Sequence, residues 1–147
     1  MPVKVFVDTN VLVYSRDASE RRKQKQAMAW MAHLWDTRAG RVSFQVLQEF
    51  YVTVTHKLDP GLDRETDRRD IRLLLSWQPV RVDAHVIEGA WHLQDHSRLS
   101  WWDALIVSAA KAADCRYLLS EDLGEEQEFG KVRVINPFTI SPEALPT

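Results

Sequence analysis

Four acidic residues scattered along the chain, Asp8, Glu49, Asp103 and Asp122, carry the first suggestion of chemistry. Asp8 closes residues 3–7, a short Val- and Phe-rich run that suits a buried strand. Glu49 lies in residues 44–58, where Leu47, Phe50, Tyr51, Val54 and Leu58 fall on one helical stripe. Asp103 opens an apolar helical run over 104–113, and Asp122 follows the strand-like residues 116–119. Four carboxylates at one place could not all stay ionised without a cation. Mg²⁺, with Mn²⁺ as a possible substitute, suits such a set, because hard ions favour oxygen ligands and keep several waters. The chemistry that follows is phosphodiester hydrolysis, with metal-activated water, an oriented phosphate and a stabilised leaving oxygen. Three of the acids also have a plain structural reading. Asp8 can be a turn residue or helix cap, Asp103 can complete a capping box with Ser100, and Glu49 can simply be solvated.

An alternation of strands and helices could gather these acids. After the first strand the polar pair Thr9-Asn10 is expected to turn the chain. A helix to about residue 36 follows, capped by Asp17 or Ser19, with Ala27, Met28, Met31, Leu34 and Trp35 on its apolar stripe. Residues 40–43 read as a short strand and 44–58 as a helix, against the β-propensity of residues 51–55. Asp63 caps a helix to Trp77, and residues 80–82 form another short strand. A helix over 84–97 is expected to bury Val86, Ile87, Ala90, Trp91 and Leu93. The last long helix starts at Ser100 and runs to about Asp114; its Trp101 and Trp102 read as packing residues rather than a base-stacking platform. Strands at 116–119 and 132–135 flank an acidic loop over 124–130. This order predicts an α/β fold, a three-layer α/β/α sandwich with a mainly parallel central sheet. Right-handed crossovers then place the strand ends and the following helix starts along one edge, where the four acids can share a crevice.

The bulk properties leave room for this reading. A chain of 147 residues, 45% hydrophobic and 27% charged, is an ordinary single domain, expected over 1–140 with a loose tail at 141–147. The formal charge of −2 gives no global pull toward nucleic acid, so any such binding rests on local patches. Arg21, Arg22, Lys23 and Lys25 are weak candidates beside the reading as a solvated helix face. A single Cys115, no secretory pattern and no apolar run long enough to span a bilayer fit a cytoplasmic protein without a membrane partner. Glu88, His92 and His96 recur every four residues, but with no further ligand nearby they read as a polar helix face rather than a zinc site.

The stretches Val7-Asp8-Thr9-Asn10, Trp102-Asp103-Ala104 and Leu119-Ser120-Glu121-Asp122-Leu123, with Glu49 in the second long helix, resemble the acidic motifs of PIN-domain ribonucleases. The closing residues 130–138 resemble the end of VapC-type toxins in that family. The resemblance covers almost the whole chain and implies a magnesium-dependent endoribonuclease, a homodimer, and inhibition by a cognate antitoxin. It implies that Asp8, Glu49, Asp103 and Asp122 form the metal-holding acidic set, with Asp8 and Asp103 as direct ligands, and that Asn10 and Ser120 orient them. Of the neighbours Glu121 and Asp122, alternation in an extended segment turns Ser120 and Asp122 the same way, which selects Asp122. The alternative within the family is a catalytically silent PIN-like scaffold. A haloacid-dehalogenase-type phosphatase needs a second Asp where this chain has Asn10, and a receiver needs two adjacent acids at the first strand end; neither is present.

Overall fold

Burial on both faces explains why residues 5–7 are a strand. The computed structural model describes residues 3–145. In it β1 (Val5–Val7) is fully buried, as an interior strand of a covered parallel sheet must be. It runs parallel to β2 (Gly40–Arg41) on one side and to β3 (Tyr117–Leu119) on the other. β4 (Glu128–Phe129) and β5 (Val132–Ile135) form a hairpin, with β5 parallel to β3, so the sheet order is β2-β1-β3-β5-β4. Among the described residues six α-helices surround this sheet: α1 (Thr9–Arg16), α2 (Arg21–Thr37), α3 (Phe44–Val52), α4 (Arg64–Leu74), α5 (Ala84–His96) and α6 (Trp101–Ala112). The fold is the expected α/β/α sandwich. α6 is buried from Ala104 to Ala110 and packs on β3, β5 and α5, where Ser108 donates to the Val86 carbonyl at 2.7 Å. No helix among the described residues is long and apolar enough to cross a membrane.

Several local expectations give way to tertiary context. Thr9 and Asn10 do not turn the chain; they begin α1, because the Asp8 carboxylate caps it and Val11 and Leu12 find burial there. Residues 11–13 look extended by propensity, but burial overrides that weak preference. Neither Asp17 nor Ser19 caps α2; Asp17 closes a local turn by accepting from the N–H and hydroxyl of Ser19, and the helix starts at Arg21. The buried stripe of α2 is Ala27, Trp30 and Leu34, while Met28 and Trp35 stay exposed. Trp30 draws the helix round, since its indole N–H donates to the Pro137 and Ile140 carbonyls at 3.1 and 3.0 Å. α3 is a helix, as its stripe predicts, and continues as a wider π-turn over Thr53–Lys57. Residues 80–82 form no strand: Val80 makes one bridge to Ser43, and Val82 is exposed.

The expected acidic loop contains β4, paired back through Gly130, whose φ of 62° suits the tight connection. Trp91 and Trp102, expected to pack, are exposed. Residues 141–145, expected to be loose, form a short 3₁₀ turn over Pro142–Ala144 with Pro142 buried, while 146 and 147 lie outside the described residues.

Candidate active site

Asp8 leaves the carboxyl end of β1 and is only 6% exposed. One carboxylate oxygen accepts from the Thr9 N–H at 2.7 Å; the other accepts from the Ser120 hydroxyl at 2.8 Å and the Asn10 amide at 3.3 Å. Ser120 lies just past β3, the strand beside β1, so parallel register brings the two strand ends together. The Ser120 hydroxyl also accepts from the backbone N–H groups of Asp122 at 3.2 Å and Leu123 at 3.4 Å. One buried serine thus orients Asp8 and shapes the Asp122 loop. Asn10 sits in the first turn of α1 with its Oδ1 accepting from the Glu121 N–H at 3.2 Å, which settles which way the amide faces. Its Nδ2 then lies 3.1 Å from Asp122 Oδ2, so a single side chain bridges two acids.

Asp103 and Glu49 approach this network from the helices. Ser100 caps α6 by accepting from the Asp103 N–H at 3.1 Å, so the residue's backbone serves the helix start. Both Asp103 and Asp122 act electrostatically on Asp8, whose pKa is pushed up to about 6. Burial is the largest cause, the hydrogen bonds from Ser120 and Thr9 oppose it, and the two neighbouring acids add to it. Glu49, exposed at the rim, accepts from the Thr9 hydroxyl at 3.3 Å and from the Gln45 amide at 2.8 Å. The same Gln45 amide reaches the Trp102 carbonyl at 3.4 Å, which ties α3 to the start of α6.

Asp8, Asn10, Ser120 and Asp122 therefore form one hydrogen-bonded network. Asp103 joins it through the field it exerts on Asp8, and Glu49 joins it through Thr9. Thr9 stands inside the Val7-Asp8-Thr9-Asn10 motif with no role read for it there, and Gln45 has no motif to announce it. The i, i+4 spacing of Gln45 and Glu49 on one helix face is the signal available in the sequence. Glu121 turns away from the crevice: its carboxylate accepts from Tyr14 at 3.1 Å and pairs with Lys23 at 2.5 Å. Lys23 is thereby committed, lying over the Tyr14 and Phe138 rings, whereas Arg21, Arg22 and Lys25 remain exposed. His92 and His96 pack ring against ring with His96 Nδ1 donating to the His92 carbonyl at 2.8 Å. Among the described residues no three His, Cys, Asp or Glu side chains stand close enough, as placed, to hold one ion.

The family model for the PIN domain matches residues 5–127, a span that contains the whole acidic network. The chain belongs to the PIN domain family. No curated protein matches this PIN domain. Its fold is similar to that of a chain in a toxin–antitoxin complex from Klebsiella pneumoniae, with a TM-score of 0.61 and 16% identity over 91% of this chain and 98% of the other. It is also similar to VapC20 of Mycobacterium tuberculosis, a sarcin–ricin-loop-cleaving toxin (TM-score 0.57, 19% identity, 78% of this chain and 87% of that one). A third likeness is to VapBC2 of Rickettsia felis, solved with a fragment of its promoter DNA (TM-score 0.57, 17% identity, 88% of this chain and 96% of that one). At these identities the likeness is one of fold.

Proposed function

We propose that this PIN domain is a metal-dependent endoribonuclease, the toxin of a type II toxin–antitoxin pair, that hydrolyses RNA phosphodiesters. The observation that carries the reading is the buried Asp8 carboxylate, held by Ser120, Asn10 and Thr9 while Asp103 and Asp122 bear on it electrostatically. Such crowding of negative charge is relieved by a cation. The donor set is all oxygen, which fits Mg²⁺ or Mn²⁺ and does not fit softer metals. Among the described residues no three acids converge on one point, so the proposed ion would take one or two carboxylates and complete its shell with water and substrate phosphate. Asp8 and Asp103 would hold it, with Glu49 and Asp122 at the sides. The ion, when bound, supplies Lewis acidity toward the phosphate and lowers the pKa of water.

The chain's own part is preorganisation. Ser120 and Asn10 both donate to one oxygen of Asp8, and Asn10 also donates to one oxygen of Asp122. Thr9 and Gln45 each hold one oxygen of Glu49. Fixed acceptors need little rearrangement when charge develops at the phosphate. The toxin–antitoxin likenesses in fold support a cognate antitoxin as partner. A homodimer acting in the cytoplasm is part of the same proposal. The test is incubation with tRNA and rRNA in magnesium, then with a chelator, beside an Asp8→Asn variant. Cleavage that needs magnesium and is lost in the folded variant is the expected result. Cleavage that survives both chelation and the substitution overturns the assignment; absence of cleavage by the intact protein on every RNA class favours the silent scaffold.

A further inference from the structure

Trp102 is the most exposed large apolar side chain among the described residues, at 64%, although its neighbours Trp101 and Ala104 pack inward. Nothing in the core uses its indole, so packing does not account for the residue. Its place does. It precedes Asp103 in the chain, and its carbonyl is tied through the Gln45 amide to the Glu49 carboxylate, with bonds of 3.4 and 2.8 Å. Gln45 itself is 8% exposed, and its Oε1 has no hydrogen-bond partner, so its amide N–H groups make both of these contacts from a buried position. Trp102 therefore offers a large exposed π-surface one residue before Asp103, on a backbone tied to the Glu49 helix, and the acids beside that backbone repel a phosphate chain unless something else holds the substrate.

We infer that Trp102 is a nucleobase platform, stacking an unpaired base next to the scissile phosphate of a single-stranded RNA. Every base has a π-face, so the contact tolerates sequence and selects for unstacked nucleotides. It makes Trp102 a substrate-binding residue and leaves the reacting atoms to the acids. The inference rests on the nuclease reading above.

The experiment uses the full chain in an Asp8→Asn background, so that RNA is bound and not cut, and reads fluorescence anisotropy of a labelled single-stranded oligoribonucleotide and of the same sequence as a duplex. Trp102→Ala is expected to weaken single-strand binding roughly 5- to 150-fold, the range that stacking on one base supplies. Duplex binding should move little, and Trp102→Phe should restore most of the loss. In the Asp8 protein the same alanine change should raise KM and leave kcat nearly unchanged. Thermal melting of each variant checks the fold, and sedimentation checks the assembly. Equal single-strand affinity in Trp102→Ala and its parent overturns the platform while leaving the nuclease reading intact. A changed oligomeric state with unchanged RNA affinity makes Trp102 a protein contact and overturns it too. If the intact protein neither binds nor cleaves RNA, the nuclease reading fails and the platform with it.

Discussion

Asp67 offers the sharpest test of the energetics, because it lies in α4, outside the acidic network. It has no exposed surface, and neither carboxylate oxygen has a hydrogen-bond partner. Its pKa is pushed up to about 6, first by burial and then by repulsion from Asp70, with attraction from Arg16 only partly compensating. The unfolded chain titrates near 3.8, so the folded state binds the proton more tightly, and stability from this group is full below that value. It falls as pH rises through 6 and is then constant. A difference of about two pKa units corresponds to roughly 3 kcal/mol above pH 7.

Asp67→Asn removes the charge and keeps the shape, so the variant should match the parent near pH 3.5. It should exceed the parent by up to about 3 kcal/mol at pH 8, or roughly 6–12 °C in Tm. Urea denaturation of both proteins at half-unit pH steps measures this difference curve directly. A curve flat between pH 4 and pH 8 would refute the reasoning: it would mean that Asp67 keeps an ordinary pKa because water or Arg16 solvates it in the folded protein.

Other consequences are quicker to check. Lys23→Met frees Glu121 beside Asp122, and cleavage should fall because the loop carrying Asp122 loses its outer anchor; Lys23→Arg should restore it, read as magnesium-dependent RNA cleavage with melting as the fold control. A Cβ at Gly40 would stand 2.5 Å from the ring of buried Trp77, so Gly40→Ala should cost about 1–3 kcal/mol in chemical denaturation. Cys115 is buried and its pKa is pushed up to about 12, chiefly by burial, so a thiol reagent at pH 8 should modify it only as fast as the protein unfolds.

Legibility in the sequence followed how local the deciding physics was. Capping at Asp63 and Ser100 needs only a few neighbouring residues, and both caps form as read. The stripe of Leu47, Phe50 and Val54 identified α3 despite β-branched neighbours, since periodicity over several turns outweighs propensity. α1 was not legible, because its Val11 and Leu12 become helical only when Asp8 caps them and the body of the fold buries them. The buried face of α2 lies a fraction of a turn from its apolar stripe, because Trp30 answers to carbonyls more than 100 residues away in sequence.

Sequence alone determined the acids, their order, and the alternating strands and helices that could carry them to one edge, because residue type and periodicity are local properties. Tertiary structure decided how they meet. Pairing of β1 with β3 sets Ser120 against Asp8, and Asn10 then reaches both Asp8 and Asp122 across the gap. It also decided that Glu121 belongs to Lys23 and Tyr14, and that Trp102 faces water. Those outcomes depend on contacts between segments far apart in the chain, whose geometry exists only once the sheet has closed its register.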